Sequence, residues 1–276
     1  MASLQSYSVG SAAASSVALN KPTGLQVGDL LLAFIYTDKS TLQTPSGWSA
    51  GNTGTRTTGG SAIWQGQAFW KIADSSDVAA STFSFSTSGT PSSIGGILSR
   101  WSDPNPTTPV SDSAIAFTNV SGTTISGAAI TPTASSQLVM FGGSEASVSF
   151  DTYATVNHNP SWTEVTDSSP DSVMSLAMAY GSYPFTTTTG NGSFAVSSAK
   201  TYKAIYLIAI AKNSPTMTPS VLSMVLSVLR PTIAVKLNSA LASAFSILAP
   251  TLAAVAPLFR NQSKNTSSWQ NEDKSN

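Results

Sequence analysis

Gly28-Asp-Leu-Leu-Leu-Ala-Phe-Ile-Tyr36 is the stretch on which the fold turns. Its run of apolar side chains from Leu30 to Tyr36 has no polar alternation, which suits a strand covered on both faces or a short core strand of a sandwich. A turn follows at Pro45-Ser-Gly47, where proline fixes φ and glycine admits positive φ, and Trp48 then re-enters the core. Next come the long, imperfectly alternating segment Ala62–Ala73, the half-buried strand pattern of Phe83 and Phe85 set against Ser84 and Ser86, and the apolar return Ile94–Trp101. The same order of parts recurs in Gln137–Phe141, Pro160-Ser-Trp162, Val173–Tyr183, Gly192–Val196 and Ala204–Ala211, at an offset of about 110 residues. An all-β sandwich of two related halves is predicted, with halves at about 1–103 and 110–212.

Between these anchors the chain reads as follows. Ser6–Leu19 supplies one or two edge strands. Thr53–Gly60 is a flexible loop, and it lacks the lysine and the strand-to-helix setting of a phosphate-binding loop. Asp74–Ala80 and Ser168–Asp171 are the only segments suited to a helical turn. Asp103-Pro-Asn-Pro-Thr-Thr-Pro109 marks the seam between the halves, because three prolines remove ladder donors. Asp151–Pro160 is a loop carrying the only histidine, His158, and Gly190-Asn-Gly192 is a hairpin signal. Beyond residue 212 the composition changes. An almost uncharged tail over 213–258 repeats with a period of 19, Leu226–Ala234 matching Phe245–Ala253, and a polar segment over 259–276 repeats at an offset of ten.

The 276 residues include 13 basic and 13 acidic side chains, so the net charge is zero and no basic field exists to hold nucleic acid. Charged residues make up 9% and Ser plus Thr roughly 30%, which makes the surface hydroxyl-bearing instead of ionic. With no cysteine there is neither a disulfide nor a thiolate metal site. A Ser-His-Asp triad would need His158, and no G-x-S-x-G elbow precedes a helix to partner it. The nearest cluster of acids, Glu145, Asp151, Glu164, Asp167 and Asp171, sits beside Ser, Pro and Asn in turn-like contexts, and Asp167 with Asp171 lacks calcium-loop spacing. No enzyme, cofactor or metal is expected. Trp48 and Trp162 hold matched places in the two halves, as core residues would. Trp64, Trp101 and Tyr153 are the candidates for stacking a ligand, with Trp70 in the wider aromatic set. In the tail, Leu226, Val228, Leu229, Ile233, Phe245, Ile247, Leu248 and Leu252 form the repeated apolar positions that would meet other copies. The uncharged run Leu237–Phe259 is long enough for a membrane span, but Pro250 and Pro257 interrupt it and the repeat makes it a unit of a series, so membrane is not the expected partner.

Several phrases carry a resemblance. They are the Lys21-Pro-Thr-Gly to Gly28-Asp-Leu-Leu opening, the Pro45-Ser-Gly-Trp48 turn, Phe69-Trp-Lys-Ile-Ala73, Thr82-Phe-Ser-Phe85 and the Asp103–Pro109 loop. In these the chain resembles the jelly-roll-like domain of tailed-phage structural proteins, and its tail phrases resemble repeats that follow such domains. The resemblance implies a jelly-roll-like β-sandwich in a virion, as tail, tail fibre or head decoration. It implies homo-oligomers, trimers among them, contacts with other virion proteins and a host-surface glycan as a further partner, and it carries no catalytic residue. The start of the chain shows no secretory signal, consistent with assembly into a particle in the host cytoplasm. A carbohydrate-binding module and a bacterial surface filament subunit are the alternatives.

Overall fold

The computed structural model describes residues 2–213 apart from 59, 60 and 134. The first half contributes β1 (Ser3–Ala12), β2 (Ser16–Asn20), β3 (Leu30–Asp38), β4 (Leu42–Gln43), β5 (Ser49–Ala50), β6 (Gly54–Thr58), β7 (Ser61–Ile72), α1 (Ser75–Ala79), β8 (Thr82–Thr87) and β9 (Ile94–Ser102). The second contributes β10 (Val110–Thr118), β11 (Gly122–Gly127), β12 (Ser136–Glu145), β13 (Phe150–Thr155), β14 (Thr163–Ser168), β15 (Met174–Tyr183), β16 (Gly192–Lys200) and β17 (Lys203–Ala211). The fold is all-β, and the strands of each sheet pair antiparallel.

Each half holds one large and one small sheet. The first has the order β1-β9-β3-β7-β5, with β6 also on β7, beside β2-β8-β4. The second has β10-β17-β12-β15-β14 beside β11-β16-β13. With β5 and β6 counted as one position, the two halves share one strand order in both sheets. Each small sheet covers the outer face of its own large sheet, and the two large sheets face each other, giving four layers and three apolar cores. The expected single sandwich is therefore two sandwiches stacked back to back.

This stacking explains the unbroken apolar run. Leu30, Leu32, Phe34 and Tyr36 point into the central core, while Leu31, Ala33 and Ile35 point into the outer core of the first half, and all seven are 0% exposed. In β12 the same alternation sends Val139 and Phe141 to the centre and Leu138 and Met140 outward. The glycine pair Gly142-Gly143 lets aromatic rings approach β12 from both layers. A Cβ on Gly142 would lie 2.6 Å from the Phe150 ring, and one on Gly143 would lie 2.9 Å from Tyr36.

Several local expectations change. Within Thr53–Gly60, residues Gly54–Thr58 form β6, paired along β7. Asp151–Pro160 is partly strand, since β13 runs to Thr155. A helical turn exists at α1, where Asp74 accepts from the backbone of Ser76 and Asp77 in a capping box, whereas Ser168–Asp171 has none. Gly190 does take a positive φ of 63°, yet Gly190-Asn-Gly192 closes no hairpin, because β15 and β16 lie in different sheets. The proposed oligomerisation residues Leu226, Val228, Leu229, Ile233, Phe245, Ile247, Leu248 and Leu252 lie outside the described residues, as do both tail repeats and Leu237–Phe259.

Candidate functional site

The aromatic candidates divide by burial. Trp101 is 0% exposed, donates its indole N–H to the Ser99 hydroxyl at 2.9 Å and meets Tyr180 edge-on at 5.7 Å. Trp64 is 6% exposed and stacks on Tyr36 at 4.9 Å. Neither offers a face to a ligand, and both are corrected to core residues: the alternation that marks a strand does not say that its second face is also covered. Tyr153 is half-buried beneath Phe194, and its hydroxyl is enclosed without a hydrogen-bond partner. Burial raises its pKa, reinforced by Glu164, Asp167 and Asp151. Trp48 and Trp162 do hold matched places: Trp48 packs edge-on against Phe83 and Phe85, and Trp162 packs on the outer core of the second half.

Four of the five clustered acids, Glu145, Asp151, Asp167 and Asp171, accept from backbone N–H groups. Glu145 accepts from Thr201 N and Tyr202 N, Asp167 from Phe150 N, and Asp171 from Val173 N and Met174 N. Asp29 forms a half-buried pair with Arg100 at 2.6 Å while accepting from Gln26 N. His158 sits in an exposed loop at φ 49° and stacks on Phe185 at 4.0 Å, with no acid beside it in a relay. Among the described residues no group of three His, Cys, Asp or Glu is placed to hold a metal, and no helix is long and apolar enough to cross a membrane.

A concave feature among the described residues lies elsewhere. A cleft of about 480 Å³ opens where β5 ends: β5 pairs only with Phe69 and Trp70, which leaves the edge at Lys71 and Ile72 uncovered. One wall is the turn at Gly47 and Ser49, with Gly47 at φ 78° and Trp48 N bonded to Pro45 O. The other is the seam loop Pro106–Val110. That loop is braced from both sides. Asn105 Oδ1 accepts from the N–H groups of Thr107 and Thr108, Asn105 N donates to Ala211 O, and Ala211 N donates to Pro109 O.

Three side chains give the cleft its chemistry. Lys71 Nζ is held by Asp77 at 2.8 Å and lies 3.6 Å from Asp74 Oδ2. The hydrogen bond from Ser76 and the backbone of the capped turn lower the Asp74 pKa to about 2, so this exposed carboxylate is charged at any ordinary pH. Trp70 is half-buried and packs at the rim of the central core, and its indole alone among those of the described tryptophans makes neither a ring–ring contact nor a hydrogen bond. Its counterpart in the second half, Tyr180, is taken up by Trp101. Comparison of the chain with protein-family models, curated proteins and solved structures finds no match.

Proposed function

We propose that the chain is a structural protein of a tailed-phage particle, a doubled jelly-roll-like block that its apolar tail joins to other copies and to neighbouring virion proteins. Counted within each half, strands 1-8-3-6-5 face strands 2-7-4, two antiparallel sheets in an order that supports the jelly-roll-like reading. The observation that carries the reading is the work done by residues of the resemblance, six of which hold the scaffold together. Lys21 Nζ donates to Val78 O, Asp29 pairs with Arg100, Gly47 makes a turn, Trp48 packs on Phe85, Lys71 pairs with Asp77 and Pro104 bridges to Lys212. A chain whose distinctive residues build a block, and whose carboxylates cap backbone, suits a part that is assembled and displayed. Apolar repeats of the tail's kind bury little alone and gain by meeting copies of themselves.

The test is the mass in solution of the full chain and of residues 1–213, by light scattering after size exclusion. The full chain is expected as an oligomer and the shorter one as a monomer; a monomer in both cases removes the role given to the tail. Genes for terminase, portal or tape-measure proteins beside this one are the independent check on the particle.

A further inference from the structure

We infer that the β13–β14 and β15–β16 connections form a membrane-docking tip, which enters the headgroup layer of a bilayer with Val156, His158 and Phe185. The tip belongs to the folded block and works independently of assembly through the tail. It departs from the expectation of no membrane partner, which rested on the tail alone.

The two connections form one frame that holds apolar side chains outward. Val156 on the first is 73% exposed and Phe185 on the second 41%. Val156 N donates to Asn191 O, Asn157 N to Thr189 O and Asn157 Nδ2 to Thr188 O, so each connection is fastened to the other. The His158 ring stacks on Phe185 at 4.0 Å, and the fully buried Tyr183 meets both rings edge-on. His158 takes a φ of 49°, a conformation that only its surroundings can hold for a residue with a side chain.

A surface that enters lipid must bring backbone groups already bonded and no fixed charge, because neither loses its water cheaply there. The tip meets both conditions. Tyr183 donates its hydroxyl to Thr187 O and Thr188 O, Thr189 N donates to Ile130 O, and Thr155 N donates to Asn159 Oδ1. Apart from His158, no acidic or basic side chain occurs over 152–163 or over 172–199. The exposed hydroxyls of Thr186, Thr187 and Thr188 lie beside Phe185 in sequence and suit the level of the headgroups. With no charge taking part, zwitterionic lipid is enough and anionic lipid adds nothing.

The first half supplies an internal comparison. Its matched connections are the Pro45–Trp48 turn and the β7–β8 segment, where Asp74 and Asp77 surround Lys71. Neither exposes a large apolar side chain. The scaffold therefore closes without such a tip, and one tip per chain is expected.

The chain has no cysteine, so a polarity-sensitive dye can be attached at one chosen place in the full-length protein. Val156→Cys puts it on the tip. Val120→Cys is the control: that valine is 69% exposed but lies next to Gly122, which pairs with Lys200 at the end of β16 opposite Gly192. With phosphatidylcholine vesicles the dye at position 156 is expected to brighten and shift to the blue, while the dye at position 120 stays unchanged. Phosphatidylglycerol in the vesicles, or added salt, should alter neither signal. In the unlabelled chain, Phe185→Ser and Val156→Asp should each weaken co-sedimentation with these vesicles by roughly tenfold, and Val156→Asp should leave melting unchanged. No response at position 156 overturns the inference and leaves the tip to a protein partner. An equal response at both positions, or binding that both variants leave intact, overturns it by assigning the contact to the tail or to another surface. Binding that requires anionic lipid overturns it as well. None of these readouts reports the oligomeric state, which is what tests the proposed particle role.

Discussion

Phe34 and Phe141 occupy matched positions in β3 and β12, and their rings stack on each other at 5.3 Å across the central core. Two equivalent residues in mutual contact are what a two-fold relation between the halves requires. Both are fully buried, so Phe34→Ala and Phe141→Ala are each expected to cost about 3–5 kcal/mol in urea unfolding. Because each ring is the other's partner, the double variant should lose less than the sum, by about 0.5–1.5 kcal/mol; additive losses would mean that the rings contribute independently. Gly143→Ala tests the same core from the other direction. Its Cβ would meet the Tyr36 ring 2.9 Å away, and overpacking should cost about 1–3 kcal/mol in the same assay. At this scale the sequence was legible in part. That Trp48 and Trp162 are packing residues followed from their matched places. That Trp70 and not Trp64 reaches solvent did not, since the two share a face of β7 and differ only in lying at Ser49, where β5 stops.

Strands with strong local patterns were legible: Leu30–Tyr36, the Phe83/Phe85 alternation and Met174–Tyr183 all became strands. The short β4, β5 and β6 were not, because two to five residues carry no period and are defined by the strand they join. The hairpin signal at Gly190-Asn-Gly192 failed for a related reason. A turn motif is local, but the partner of β16 is chosen by burial and lies in β11 and β13. The loop between β14 and β15 shows what non-local contacts can do with hydroxyl side chains. Ser93 donates its hydroxyl to Asp171 Oδ2, and Ser11 donates to Pro170 O, which ties β1 and β9 of one half to the other. Burial pushes the Asp171 pKa up, but bonds from Ser93, Met174, Val173 and Ser11 outweigh it and hold the carboxyl below its ordinary 3.8. A depressed folded pKa means stability that is present in full above the unfolded value and is lost as pH falls through the folded one. Asp171→Ala should therefore cost about 1–2 kcal/mol at neutral pH and progressively less below about pH 4. Urea midpoints of the two proteins from pH 7 to pH 2 check this, and a gap that stays constant with pH would assign the loss to packing.

The arrangement of the whole block follows from which strands cross the central core. β9 packs against β15 and β17 against β7, and these are the same pair of positions with the halves exchanged. The interface is thus of the self-complementary kind found between the subunits of a two-fold dimer, here closed within one chain. Its apolar members come from both halves: Leu30, Phe34, Ile97 and Trp101 from one, Phe141, Leu176, Tyr206 and Ile208 from the other. Either half alone would expose that large sheet, and apolar surface at about 25 cal/mol per Å² makes such a face untenable in water. Separation of the halves and unfolding are therefore expected to be one event, which the distribution of chromophores allows to be tested. Trp48, Trp64, Trp70 and Trp101 lie in the first half and Trp162 in the second, so tryptophan fluorescence follows the first half while far-ultraviolet circular dichroism follows both. For residues 1–213 in urea the two signals should give one coincident transition, as a single cooperative unit does. A fluorescence midpoint displaced from the dichroism midpoint would mean that the halves unfold separately and that the central core joins them without making either depend on the other.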